Sequence, residues 1–221
     1  MVIANFLFAS AASFGQEHNT SDISKALSIT SIEPGKTALV YAASSKEVIE
    51  EVSRQVGDQG MVYAHFPQDL SSPTEAGIFE EIQEFVTSSN LENVSLIARD
   101  SNNIGLHGKV DIALFCYTLH EMVHATNSAN VVSFFEHMQS NLTENGEFLI
   151  VEHQGNGLEM DVENHRIEKQ LLIQLLNQSG IQVIEDSPIF ANPDDPKDVH
   201  ILAPQVRGNT DRMLILATGV R

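Results

Sequence analysis

Beyond residue 30, short apolar runs alternate with segments whose apolar residues recur every three or four positions. The runs at 38–42, 61–64, 94–98, 110–117, 148–151, 181–184 and 213–217 have little internal polarity and the length of strands. Between them, Val48, Ile49, Val52 and Val56 mark one helix stopped by Gly57, and Pro73 opens a second that carries Ile78, Phe79, Ile82, Phe85 and Val86. Val131, Phe134, Phe135 and Met138 mark a third; Ile167, Leu171, Leu172, Leu175 and Leu176 mark a fourth, closed by Gly180. Apolar strands separated by helices predict a sheet buried on both faces, hence an α/β doubly wound, mostly parallel, seven-stranded sheet. The stretch 192–209 between the last two strands is polar and irregular rather than helical, so the last strand is expected to be antiparallel. This domain is expected to span residues 30–221, preceded by a separate segment 1–29.

That N-terminal segment contains an apolar run, residues 2–12, ending in small residues. It reads either as a helix docked on the domain or as a shortened secretory signal, although no Lys or Arg precedes Lys25. The compartment is cytoplasmic in the first case and periplasmic in the second. No apolar run reaches the roughly 20 residues that span a bilayer. With 12 Lys+Arg against 30 Asp+Glu, the net charge of -18 argues against nucleic acid or an anionic membrane as partner. A small-molecule substrate is the remaining expectation. The single cysteine, Cys116, excludes an intrachain disulfide and any multi-cysteine metal site. The loop 192–198 (Asn-Pro-Asp-Asp-Pro-Lys-Asp) reads as a solvated acidic turn.

In an open α/β sheet, ligands lie beyond the carboxyl ends of the strands, so the loops after each strand carry the argument. Val56-Gly57-Asp58-Gln59-Gly60-Met61-Val62-Tyr63-Ala64, then Arg99-Asp100-Ser101, then Val110-Asp111-Ile112-Ala113-Leu114 follow one another in order. Tyr117-Thr118-Leu119-His120-Glu121 ends the fourth run, and Leu142 to His153 forms a turn and a fifth strand. In order and spacing, these segments resemble class I S-adenosylmethionine-dependent methyltransferases over residues 30–221. His165-Arg166-Ile167, Asn192-Pro193-x-Asp195-Pro196 and Arg207-Gly208-x-Thr210-Asp211-Arg212 resemble a subgroup of bacterial methyltransferases that are often exported.

The resemblance implies S-adenosylmethionine as methyl donor and a small molecule as acceptor. It implies that Tyr41, Ala42, Ala43 and Ser44 follow the first strand at the donor's methionine end. His65 marks the place where the family's second strand usually ends in an acidic residue that holds the ribose, a residue replaced here, and Asp100 with Ser101 meets the adenine. The glycine-rich signature of that first loop reads Val40, Ala42, Ser44 and Lys46 here, and the added side chains, with the Lys46 ammonium, are expected to crowd the methionine end. His120, Glu121 and His153, at the ends of the fourth and fifth strands, are candidates for acid–base work on the acceptor. Tyr41 and Tyr117 either stack on a ligand ring or pack at the rim of the core. If the altered loop no longer holds the donor, the alternative is a methyltransferase-fold binding or scaffold protein.

A second motif competes. His120-Glu121-Met122-Val123-His124 matches the His-Glu-x-x-His of zinc hydrolases, whose two imidazoles share one helix face. Here it follows a strand and is expected to fall in a loop. No obvious third ligand motif follows, although Glu136, Glu144 or Glu152 could serve, and no metal site is assigned.

Overall fold

The computed structural model describes residues 20–67, 73–125, 128–157 and 163–219; of residues 121, 124, 125 and 128 it describes the backbone alone. The apolar run at 2–12 therefore lies outside the described residues.

Seven strands form one sheet: β1 (Thr37–Val40), β2 (Met61–Pro67), β3 (Val94–Arg99), β4 (Val110–Cys116), β5 (Leu142–His153), β6 (Ile181–Ser187) and β7 (Arg212–Gly219). Their order is β3-β2-β1-β4-β5-β7-β6. β1 to β5 pair in parallel, and β7 runs antiparallel to both β5 and β6. A polar connection between β6 and β7 leaves no crossover helix, so the chain returns as a hairpin-like antiparallel pair.

Helices cover both faces. α1 (Thr20–Leu27), α2 (Lys46–Val56) and α3 (Pro73–Ser88) lie on one side, where Leu27, Ile49, Val52 and Ile82 pack on Ala38, Val62, Ile112 and Leu114. α4 (Leu119–Ala125), α5 (Ser128–Asn141) and α6 (Lys169–Gln178) lie on the other, where Phe135, Met138, Leu172 and Leu176 pack on Leu39, Ala113, Phe115 and Phe148. Successive residues of β4 are buried on opposite faces, as a doubly covered parallel strand requires.

Local chemistry sets the element ends. Ser45 caps α2 by accepting the Val48 N–H at 3.3 Å, and Gly57 ends it at φ 62°. Gly60 opens β2 where a Cβ would lie 2.6 Å from the Lys36 carbonyl and 2.5 Å from Val56 Cβ, so only glycine fits that approach. At the amino ends of the strands, Asp111 accepts the Thr37 N–H at 2.9 Å and Thr143 Oγ1 at 3.3 Å, tying β1, β4 and β5 together.

Three sequence expectations change. The His-Glu-x-x-His segment is helical, within α4, because Leu119, Met122 and Val123 give it a buried apolar face. β5 begins at Leu142, directly after α5, and accommodates the extra residues by a register shift opposite Val110 and Ile112. The acidic loop is not wholly solvated: Asp195 is 5% exposed and paired with Arg166, which is fully buried. Residues of the N-terminal segment also join the packed unit, since α1 buries Ile23, Ala26 and Leu27 and Ser24 Oγ donates to Glu51 at 2.6 Å.

Candidate functional site

The strand order reverses between β1 and β4, and the crevice outside their carboxyl ends is where an open α/β sheet binds ligands. Both strands leave the sheet through a non-glycine residue in the left-handed region, Ala42 at φ 49° after β1 and Tyr117 at φ 57° after β4. Such residues cost about 1 to 3 kcal/mol each and persist where the surroundings over-determine them. After β1 the loop is tightly held: Ala43 N–H donates to the His65 carbonyl at 2.8 Å, and Ala42, Ala43 and Ser45 are buried, with Ser44 half-buried. Lys46 does not crowd this loop. Its ammonium pairs with Glu81 and lies 6.0 Å from the centre of the Phe85 ring, both on α3, because the first turn of α2 aims it at that neighbouring helix.

At the tips of β1, β2 and β3, three sequence candidates join into one unit. The Tyr41 ring stacks on His65 with centroids 4.9 Å apart and planes 9° off parallel. Its hydroxyl donates to Ser101 Oγ at 2.9 Å. Phe115 and Phe134 complete the wall at 5.2 Å each. Burial pushes the Tyr41 hydroxyl up to about 12, against a smaller downward pull from Ser101. His65 is fully buried; its Nε2 donates to the Arg99 carbonyl at 2.9 Å, and burial drives its pKa down to about 4, so the ring is neutral. Its Nδ1 then carries a lone pair and has no hydrogen-bond partner among the described residues. Asp100 is exposed and turned back on its own loop, accepting the Asn102 N–H at 2.7 Å.

A second cluster forms beyond β4 and β5. His120, at the start of α4, donates from Nδ1 to Glu152 at 2.7 Å, and the other oxygen of Glu152 accepts the Leu119 N–H at 2.6 Å. Both side chains are fully buried. The carboxylate fixes the Nδ1–H tautomer and leaves Nε2 as the basic nitrogen. His153 Nδ1 lies 2.8 Å from Thr210 Oγ1, and its ring stacks on Tyr117 at 4.5 Å. His120 and His153 are 6.3 Å apart between centroids; His165 lies 5.6 Å from His120, and His200 lies 4.9 Å from His165. The backbone of Glu121 is on α4, and its side chain, like that of His124, lies outside the description. Among the described residues, no group of three His, Cys, Asp or Glu side chains is arranged to hold a metal ion.

Tyr117 also faces a chamber of about 950 Å³ on the α1–α2 side of the sheet. Arg212 crosses it, donating to Tyr117 Oη at 2.9 Å and to Asp22 at 3.2 Å, with its guanidinium 4.6 Å from the Phe190 ring centre. Glu47 and Arg207, both exposed, bring one charge of each sign to the lining. Burial pushes the Tyr117 hydroxyl up to about 12, with Arg212 opposing. Cys116 also lines the chamber, and burial raises its thiol to about 12. Of the site candidates named from sequence whose side chains are described, Tyr117 alone lines this space. Thr210 and Asp22 were not singled out as site residues, Glu152 was named only as a possible zinc ligand and Arg212 only within the C-terminal motif, since each acquires its role through a partner at least 32 residues away along the chain.

The fold is that of class I S-adenosylmethionine-dependent methyltransferases. A SAM-dependent methyltransferase from Aquifex aeolicus superposes with a TM-score of 0.65 at 18% identity over 90% of both chains. Burkholderia thailandensis 1,6-didemethyltoxoflavin-N1-methyltransferase, with bound 1,6-didemethyltoxoflavin and S-adenosylhomocysteine, gives 0.59 at 16% identity over 92% of this chain and 80% of its own. The [4+2]-cyclase SpnF has the same fold, with a TM-score of 0.64 at 12% identity, covering 91% of this chain and 81% of its own. No protein-family profile matches the sequence, and no curated protein is close enough to count as a relative.

Tyr41 fills the space at the tips of β1, β2 and β3 and is bonded to Ser101, and β2 presents buried His65 and Phe66 there rather than a carboxylate. The chamber carries both signs of charge in its lining.

Proposed function

We propose that the chain is a methyltransferase-like protein of the S-adenosylmethionine-dependent class, acting on a small molecule held in the chamber beside Tyr117. The observation that supports this reading is the chamber itself, which lies against β4, one of the two strands between which the order reverses, and against β5 beside it. The donor's nucleoside enters only when the Tyr41 ring leaves its stack. His120, oriented by Glu152, and His153, stacked on Tyr117, are the acid–base candidates of this reading; neither lines the chamber, so their link to the acceptor runs through Tyr117, with Glu121 next to His120 on α4. Tyr117 and Arg212 meet the acceptor at the chamber wall. The likeness of His165-Arg166-Ile167 and of Arg207 to Arg212 to an often exported bacterial subgroup belongs to the same reading.

A second reading is favoured by the Tyr41 ring that fills the tips of β1, β2 and β3: a methyltransferase-fold protein that binds a small molecule without using the donor. Calorimetric titration with S-adenosylmethionine and S-adenosylhomocysteine separates the two. Saturable heat in the micromolar range supports the first; silence at millimolar ligand, with small molecules still bound, supports the second.

A further inference from the structure

The chamber on the α1–α2 side has an apolar base and a polar mouth. Leu114, Leu149 and Val151 of the sheet and Leu27 of α1 are buried at its base, whereas Glu47 and Arg207 are exposed at its mouth. Such a lining suits a ligand with an apolar body and one polar head. The sign of that head follows from which lining charges the chain already engages. Asp22 accepts from Arg212 at 3.2 Å and from Lys25 at 3.4 Å. Glu47 accepts the Ser45 hydroxyl at 2.8 Å within the first turn of α2, where the helix itself favours a carboxylate. Arg212 is engaged by Asp22 and Tyr117. Arg207 differs, for its side chain has no hydrogen-bond or carboxylate partner among the described residues. Most other described Lys and Arg side chains have a carboxylate partner, as Lys46 has Glu81 and Lys197 has Asp211. The backbone that carries Arg207 is nevertheless held, its N–H donating to the Ala203 carbonyl at 2.9 Å beside buried Val206.

We propose that the chamber takes a small organic monocarboxylate, its apolar body over the β4–β5 floor and its carboxylate at Arg207. The proposal rests on the chamber of the reading above and is independent of the donor. A guanidinium offers a planar fork of N–H donors that matches a carboxylate in charge and geometry. The rest of the surface works against such a ligand: a chain of net charge -18 repels anions and attracts cations, so a preference for an anion arises only from a local site.

The test is isothermal titration of the full chain at low salt with octanoate, octanamide and octylamine, which share an apolar body and differ in the charge of the head. Octanoate should bind about tenfold tighter than octanamide, the scale of a hydrogen bond to a charged group. Arg207→Gln, at an exposed position, should remove most of that preference, and Arg207→Lys should keep part of it. Cys116 lines the floor and is the chain's single cysteine, so octanoate should also slow its reaction with a disulfide reagent. Equal affinity for octanoate and octanamide, or tighter binding of octylamine, overturns the anionic head. Octanoate binding that Arg207→Gln leaves unchanged, or that leaves the Cys116 rate unchanged, overturns the placement and the proposal with it. Silence from all three compounds also overturns it. S-adenosylhomocysteine, titrated alongside, reports on the donor separately. Heat from it with none from octanoate leaves the donor reading standing and removes this proposal; the converse removes the donor reading and leaves the proposal in place.

Discussion

Removing the carboxylate of Asp195 should be among the most damaging single changes available in this chain. Its partner, Arg166, is fully buried and spends its guanidinium on four contacts. Nη1 and Nη2 reach the two oxygens of Asp195 at 2.8 and 3.1 Å, Nη1 also donates to the Gln154 carbonyl at 2.9 Å, and Nε donates to the Val199 carbonyl at 3.0 Å. Asp195 in turn accepts the backbone N–H groups of Asp211 at 2.6 Å and Lys197 at 3.1 Å. Asp195→Ala leaves a cation without a counter-charge in a site closed to water, and breaking a buried pair in this way costs about 3 to 5 kcal/mol. That is a large share of the roughly 5 to 15 kcal/mol that holds a domain folded. At about 2 to 4 °C per kcal/mol for a chain of this size, the melting temperature should fall by roughly 6 to 20 °C. Urea denaturation followed by far-ultraviolet circular dichroism measures it. The double change Arg166→Met with Asp195→Leu should recover a substantial part of the loss, since replacing both charges by apolar groups removes the uncompensated ion. A loss below about 1 kcal/mol for Asp195→Ala, the range of exposed pairs, would refute the view that solvent is excluded there. Burial alone would raise the Asp195 carboxyl pKa, but the donors from Arg166 and the two backbone amides outweigh it and hold the pKa below the ordinary value of 3.8. The carboxylate's contribution is therefore complete above the unfolded pKa and is lost as pH falls through the folded one, a loss that Asp195→Asn should abolish.

Other consequences are equally open to measurement. Glu51 is held down to about 2, chiefly by hydrogen bonds from Arg54 with Ser24 and Gln55 assisting against burial. It stabilises the fold at pH values above its ordinary 4.5 and ceases to do so as pH falls through about 2; Glu51→Gln should flatten acid unfolding across that window. With desolvation pushing its thiol up to about 12, the half-buried Cys116 should react with a disulfide reagent at pH 8 far more slowly in the native chain than after denaturation, and equal rates would contradict that desolvation. Tyr41→Phe removes one hydrogen bond to Ser101 and should lower stability by about 1 kcal/mol, whereas Tyr41→Ala, which empties a ring-sized space, should lower it by about 3 to 5 kcal/mol in chemical denaturation.

The parts of this fold that could be read from residue order are those whose signal is local. The 3.6-residue spacing of Val48, Ile49, Val52 and Val56 and the Gly57 stop marked α2 to its final residue, and the unbroken apolar runs marked every strand. α4 escaped because seven residues hold barely two turns of apolar spacing, too few to separate a helix from a loop. The N-terminal part of β5 escaped because Leu142 continues the helical spacing of α5 yet begins a strand. At the site, chain position indicated which residues stand at strand ends but not where their side chains turn. Tyr41 could line a ligand or fill its place, and only the stack on His65 distinguishes these. Lys46 was expected to point into the crevice, and Glu81 on another element draws it out. Asp195 was one acidic residue among several in a turn-rich loop until a guanidinium 29 positions away enclosed it.

The chamber is bounded by two kinds of element. Its floor, Leu114, Cys116, Leu149 and Val151, belongs to hydrogen-bonded central strands, while its ceiling is the eight-residue helix α1, latched to the floor's edge where Asp22 meets Arg212. Because that latch is ionic and partly wetted, dissolved salt weakens it while leaving the hydrogen bonds of the floor untouched.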